Sequence, residues 1–352
     1  MKVNGRASAD ASQPVRVLLS LDPPDGTTRY VDQIVTHIPG NVQIIYFSWA
    51  AALFGHYDVF HVHWPEFLVR ADTPVKTRGK RALANALIAR LRRRRTAVVR
   101  TLHNPSPHEG VAPGEANFIE ALDRLTSVYV RLNTSTEPPD DRPCETILHG
   151  DYIERFAPLI ERRSHARQGV LLSAGLIRPY KGILELIGAL AGVRHDLTLR
   201  IVGKPVDAAF QGAVEAAAQH NSHVFMHFGF IPDRQLVEEI LEAECVVLPY
   251  RTIHNSGMLF VALSLGRPVL VPRADTTEAL QREVGAQWIQ FFDGDIDSGA
   301  IDRAVDSFRA SKRSDLPHFE GRDWPTVGRR HAEVYALALG AGSHQDAKAS
   351  AL

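Results

Sequence analysis

Sulfur is scarce in this chain: 352 residues carry only two cysteines and three methionines. Cys144 and Cys245 stand alone with no CxxC spacing. That excludes a disulfide framework and a cysteine zinc site, and it points to a reducing compartment. Long apolar runs are missing too. No stretch reaches the roughly eighteen residues a membrane-spanning helix needs, and the opening MKVNGRASADASQP has no apolar segment to act as a signal peptide. Net charge is also absent, since forty Lys and Arg balance forty Asp and Glu. The molecule as a whole therefore has no electrostatic reason to bind nucleic acid.

What the chain does have is a repeated β-then-α pattern. With 45% hydrophobic residues there is material for two cores, and the length suits two domains of roughly 150 residues each. Short β-branched runs at 15–20 (VRVLLS), 42–47, 59–62, 97–102 and 127–132 alternate with helical stretches. The pattern loosens over 133–168, around Pro138, Pro139, Pro143 and the charged ERRSHARQ. It restarts at 170–174, 197–202, 224–228, 245–248 and 268–271, and within 233–242 Leu236, Ile240 and Leu241 share a helix face. The expected architecture is α/β: two successive Rossmann-like, doubly wound parallel-sheet domains facing a central cleft. The division is a disordered tail (1–14), a first domain (15–160), a second domain (165–322) and a polar, disordered tail (341–352). Ligands gather at the carboxyl ends of strands in such sheets, and the unusual residues fall there.

In the second half, HNSG (254–257) follows the run VVLPY and opens a helix. A helix N-terminus offers free N–H groups and positive partial charge to a phosphate. Asn255 and Ser256 can donate to it, and Gly257 lets it approach the backbone; the alternative is that these residues only cap the helix. GLIRPYKG (175–182) also lies between strand and helix. There Arg178 and Lys181 can neutralise a diphosphate leaving group, or simply be a solvated basic pair. In the first half, HVHWPE (61–66) and RTLHNPSPHE (100–109) each place histidine and glutamate beyond a strand. Glu66 or Glu109 can serve as general base on an acceptor hydroxyl, and His103 can bind a sugar or share in proton transfer. His63, Asn104 and Asp22 are acceptor-side candidates. A metal is not expected, because His61, His63 and Glu66 lack the HExxH spacing. A dehydrogenase is not expected either, because the turn after the first strand reads LDPPDG, not GxGxxG.

From Thr73 to His108 there are ten Lys or Arg and no acid. Leu83, Leu87, Ile88 and Leu91 recur at helical spacing within that stretch, and Arg90 and Arg92, Arg93, Arg94 and Arg95 close it. A basic helix with one apolar face reads as an element attracted to an anionic membrane surface. The alternative is a buried helix with a solvated basic face. Nucleic acid is disfavoured, since no aromatics interleave the cations.

Taken together these motifs resemble the GT-B glycosyltransferases. Within them they resemble the β-1,4-mannosyltransferases of xanthan-type exopolysaccharide assembly. The resemblance runs from about 15 to 339 and rests on YDVFHVHWPEFLVR (57–70), VVRTLHNPSPHE (98–109), TILHGDY (146–152), GLIRPYKG, LRIVG (199–203), VVLPYRTIHNSG, ALSLGRPVL (262–270) and RDWP (322–325). It implies a GDP-mannose donor, a polyprenyl-diphosphate-linked oligosaccharide acceptor, inversion at the anomeric carbon, no metal, and peripheral attachment to the inner face of the cell membrane. It also implies that the last helix, in segment 323–340, crosses back to the first domain. One departure stands out: the two glutamates of many retaining relatives would fall at Ile253 and Val261. Their absence fits an inverting enzyme and removes the usual ribose anchor. A GT-B transferase of another nucleotide sugar, a GT-B epimerase and a non-catalytic sugar-binding protein of the membrane surface are the competing expectations.

Overall fold

The computed structural model describes residues 13–24, 29–104, 113–160 and 166–349. Internal contacts divide the chain into two units, Met1–His149 with Gly321–Leu352, and Gly150–Glu320. The sequence expectation put the division at 160–165. The segment after Gly150 is tied to the second unit, where the Tyr152 amide donates to Ser264 Oγ (2.9 Å) and Arg155 pairs with Asp233 (3.2 Å).

The first unit runs β1 (Val15–Leu19), α1 (Arg29–His37), β2 (Val42–Ile45), α2 (Trp49–Phe54), β3 (Val59–Val62), α3 (Pro74–Arg94), β4 (Ala97–Leu102), α4 (Pro113–Asp123), β5 (Val128–Arg131) and β6 (Cys144–Thr146). Its strands form one parallel sheet in the order β2-β1-β3-β4-β5-β6. The order reverses between β1 and β3, which puts the topological switch point, and the crevice that goes with it, at that place in the sheet. Five strands fall on the β-branched runs of the sequence. β6 does not, because three residues in a proline-rich stretch carry no periodicity.

Helix α3 starts with Thr73, whose side chain accepts the Lys76 amide, and with Pro74 in its first turn. Ala84, Leu87, Ile88 and Leu91 are buried in the core with Leu18, Phe60, Val62 and Val98. Burying each large aliphatic side chain contributes about 1.5–3 kcal/mol. The apolar stripe expected at a membrane therefore faces the unit's own core, because the sheet beneath it needs that cover. Arg90 is also committed internally. Its Nε donates to Leu53 O (3.0 Å), its Nη2 to Gly55 O (2.5 Å), and the guanidinium lies 4.2 Å from the centre of the Tyr57 ring. Arg92, Arg93, Arg94 and Arg95 remain exposed.

Arg95 ends this helix in the left-handed region, with φ 52°. Glycine holds such C-terminal positions without steric penalty, while a side chain costs about 1 kcal/mol. Arg95→Gly is expected to raise unfolding stability by about that amount, measured as a shift in the urea midpoint at constant slope. An unchanged or lower midpoint would contradict it.

The second unit runs α5 (Ile153–Phe156), β7 (Val170–Ala174), α6 (Ile183–Leu190), β8 (Thr198–Gly203), α7 (Ala208–Ala218), β9 (Val224–Phe228), α8 (Asp233–Glu242), β10 (Cys245–Val247), α9 (Gly257–Ser264), β11 (Val269–Pro272), α10 (Asp275–Val284), β12 (Ile289–Phe292) and α11 (Ser298–Ala310). The strands again lie parallel, in the order β12-β11-β10-β7-β8-β9. Here the order reverses between β7 and β10.

The last helix, α12 (Trp324–Ala349), packs on α1, β3, β4 and β5 of the first unit. Gly328 permits this, since any side chain there would run into the carbonyl of His37. The helix continues past 340 into residues expected as a disordered tail, where alanines favour helix and no proline stops it. Among the described residues, no helix is long and apolar enough to cross a membrane.

Candidate active site

In the second unit the two loops singled out in the sequence leave β7 and β10, the strands that flank the switch point. Gly175 follows β7 with φ +108°, in the region that favours glycine. A methyl group built there would lie 3.8 Å from Lys181 Nζ and 3.6 Å from Met258 Cε. Lys181 closes the short turn Pro179–Lys181 and Met258 lies in the first turn of α9, so the two loops converge on Gly175. Lys181 Nζ also sits 4.9 Å from the centre of the Tyr250 ring, a cation–π contact. The Arg251 amide donates to Tyr180 O (3.0 Å), which fastens one loop to the other. Gly182 and Gly203 allow the tight packing beneath, because a side chain at either would collide with the carbonyl oxygen of Pro249 or Gly175.

Ser256 occupies the position before α9 in extended conformation, and its side chain makes no capping hydrogen bond to the helix. The capping alternative therefore does not describe Ser256. The helix mouth keeps backbone donors for an anion, beside a lysine ammonium. Asn255 precedes Ser256 and is partly buried, and Arg178 opens the Pro179–Lys181 turn, partly exposed. Ile253 and Val261, at the positions where retaining relatives carry glutamate, are 8% and 2% exposed and belong to the core. Three neighbours of this site were not singled out in the sequence: Tyr250, Met258 and Tyr152. The hydroxyl of Tyr152 would lie 3.8 Å from a methyl group at Gly257. Its motif, TILHGDY, was visible, but nothing in the spacing of residues 146–152 relates it to α9.

In the first unit a cavity of about 410 Å³ lies at the carboxyl ends of β3 and β4. Glu66, His63, His103 and Asn104 all line it, together with Trp64, Arg100 and Asp123. Asp22 lies exposed beyond β1 and is not among the lining residues. Glu109 lies outside the described residues. Glu66 sits in the turn Pro65–Leu68 just after β3 and is 9% exposed. Burial pushes its carboxyl above the ordinary range, against the opposing pull of its own backbone N–H, Arg70 and Arg100. A carboxylate raised toward neutrality in a cavity has the character of a general base. Arg70 is held by Glu115 (2.9 Å), and Arg100 is paired with Asp123.

Behind the cavity lies a set of buried histidines. His63 Nδ1 and His103 Nε2 share a hydrogen bond of 3.0 Å. His61 is bonded at both nitrogens, to Tyr335 Oη (2.9 Å) and Thr101 Oγ1 (2.8 Å). His331 of α12 donates from Nδ1 to Val327 O (2.8 Å). Burial holds His61 and His103 well below the ordinary imidazole value, and neighbouring rings add to the effect. Burial, followed by His331, lowers His63 to about 3, and burial lowers His331 to about 4. Among the described residues no group of three or more His, Cys, Asp or Glu is arranged to hold a metal.

These histidines make the first unit sensitive to acid. A ring neutral in the fold but titrating near 6.5 when unfolded contributes full stability above 6.5, and loses it as pH falls toward the folded value. For His63 and His331 the window runs from 6.5 down to about 3 and about 4. Two pH units into it, each ring costs roughly 3 kcal/mol. The first unit's melting temperature is therefore expected to drop steeply between pH 6.5 and 4.5, as followed by circular dichroism. A flat profile over that range would show that the rings are solvated.

No model of a protein family matches the chain. The GDP-mannose:glycolipid 4-beta-D-mannosyltransferase of Xanthomonas campestris pv. campestris is 38% identical over 336 residues, covering 94% of this chain and 95% of the relative. Solved structures share the fold over nearly the whole length. Alr3699/HepE of Anabaena, in complex with UDP and glucose, has a TM-score of 0.58 at 13% identity and covers 96% of this chain and 100% of that one. The UDP-forming α,α-trehalose-phosphate synthase of Burkholderia xenovorans has a TM-score of 0.60 at 11% identity, covering 92% and 100%. The sucrose-phosphate synthase of Thermosynechococcus elongatus has a TM-score of 0.57 at 14% identity, covering 97% and 100%. Identities this low speak for the fold alone, and that fold is GT-B.

Proposed function

The chain belongs to the family of GDP-mannose:glycolipid 4-β-mannosyltransferases, and on that premise we propose that it transfers mannose from GDP-mannose to a polyprenyl-diphosphate-linked oligosaccharide, forming a β-1,4 bond with inversion. The observation that carries this reading is the convergence of Lys181 and the mouth of α9 on Gly175, at the switch point of the second sheet. The diphosphate of the donor rests there, held by Lys181, Arg178, Asn255 and the backbone at Ser256 and Gly257. The acceptor occupies the cavity of the first unit. Its hydroxyl oxygen forms the new bond to the anomeric carbon and gives its proton to Glu66, while the carbon–oxygen bond to the diphosphate breaks and GDP leaves. Guanidinium, ammonium and backbone N–H groups neutralise the leaving charge in this scheme, with no part for a metal.

The enzyme works at the cytoplasmic face of the cell membrane, in exopolysaccharide assembly, as a peripheral protein. The supporting features are exposed side chains on α3 and in the segments before it. Phe54, Phe67 and Val75 are 81%, 55% and 76% exposed, and Arg92–Arg95, at the C-terminal end of α3, supply cations for anionic lipid. This attachment uses exposed apolar side chains at the end of α2, in the turn Pro65–Leu68 and at the start of α3, with the basic end of α3, in place of an apolar stripe along the helix.

A thermal-shift panel of GDP, UDP, ADP and dTDP, run with and without EDTA, tests the donor. GDP alone should raise the melting temperature, by about 2.7 kcal/mol of added stability at a hundred times its dissociation constant. A shift with UDP and none with GDP would overturn mannose as the transferred sugar, and a shift that EDTA abolishes would overturn the metal-free scheme.

A further inference from the structure

We propose that Trp64 is an acceptor-binding residue, the platform on which the apolar face of the acceptor's terminal pyranose lies. The inference rests on the transferase reading above and names the part of the glycolipid that fills the first unit's cavity. A pyranose presents C–H groups on its faces and hydroxyls around its rim. The first need an aromatic plane, whose negative face attracts the weakly positive C–H groups, and the second need polar side chains in a ring around that plane. The cavity has both: Trp64 on its wall, and Glu66, Arg100, Asn104, Glu120 and Asp123 around it.

The plane is held firmly. The indole stacks on the His103 ring, with centroids 4.0 Å apart and planes 19° from parallel, and His103 is bonded to His63 at 3.0 Å. A plane fixed in this way loses little conformational freedom when a sugar settles on it. Trp64 is also not a core residue by exposure. It stays partly exposed, whereas Trp288 and Trp324 are 1% and 2% exposed.

Charge decides which end of the glycolipid enters. The lining carries three carboxylates, Glu66, Glu120 and Asp123, against one guanidinium, Arg100, which is already paired with Asp123. His63 and His103 stay neutral because burial disfavours their charged forms. A diphosphate brought here would face net negative charge, whereas a sugar ring meets hydrogen-bond acceptors for its hydroxyls.

The test compares the full-length enzyme with its Trp64→Leu and Trp64→Phe variants, using GDP-mannose and a lipid-linked oligosaccharide. Leucine keeps apolar bulk without the ring, and phenylalanine keeps a ring. Trp64→Leu should raise the acceptor KM about ten-fold, leave the donor KM unchanged and keep the GDP-induced thermal shift that reports an intact second unit. Trp64→Phe should recover most of the acceptor affinity. A wild-type acceptor KM in Trp64→Leu would overturn the platform while leaving the transferase reading intact, as would a donor KM that rises in parallel. A wild-type enzyme that transfers no sugar in the same assay would overturn the transferase reading, and the platform with it.

Discussion

Lys181→Ala should fold normally and lose about 10²–10³-fold in kcat, the loss typical of removing one preorganised group from a developing negative charge. The fold is spared because Lys181 makes no ion pair with a carboxylate among the described residues, and its removal leaves no buried charge stranded. Its neighbours at Gly175 and Tyr250 are a glycine and an aromatic face, neither of which needs the ammonium for stability. The contribution is greater in the transition state than in the ground state, since charge on the diphosphate grows as the bond to the sugar breaks. The rate should therefore fall more than donor affinity does, and Lys181→Arg should restore part of it. The measurement is kcat at saturating donor and acceptor, with the melting temperature as a check on folding. Near-full turnover by Lys181→Ala would remove the diphosphate from this loop.

Glu66→Gln is the second large effect, an expected loss of about 10²–10⁴-fold in kcat/KM. The substitution is nearly isosteric, and the amide cannot accept the proton of the attacking hydroxyl. The pH profile supplies the second readout. Burial raises the Glu66 carboxyl above its ordinary value, so the base is protonated and inactive at low pH. Activity should rise with pH through that raised value and level off once the carboxylate is ionised. Glu66→Gln should show a low rate without that acidic limb. Should the variant keep wild-type activity and profile, the base is another group, and Glu109 is the carboxylate the sequence offers in its place.

The two α/β domains, ten of the twelve described strands (all but β6 and β12) and the two loops at strand ends were legible from the chain alone. Their signals are local: β-branched runs such as VRVLLS and VVLPY mark buried parallel strands, and glycines with cations after a strand mark a phosphate-competent turn. The two His/Glu-bearing turns were expected from the sequence to face one cleft, but not to bring Glu66, His63, His103 and Asn104 into a single cavity inside the first unit. That β3 and β4 are neighbours, which makes those turns one cavity, depends on strand order, and strand order leaves no trace in periodicity. The same holds for the placing of GLIRPYKG and HNSG on either side of the β7/β10 reversal.

Helix α3 marks the limit most clearly. Its sequence determined a basic helix with one apolar stripe, Leu87, Ile88 and Leu91 among it, because 3.6-residue periodicity is written in the order of residues. What covers that stripe is a three-dimensional matter: the unit's own sheet fills the contact a lipid surface was expected to make, and Arg90 turns to the carbonyls of Leu53 and Gly55. Tyr152, Tyr250, Met258 and Trp64 likewise gained a place only through folding. Local chemistry determines which elements form and what groups they carry, while packing between elements distant in sequence decides which of those groups meet.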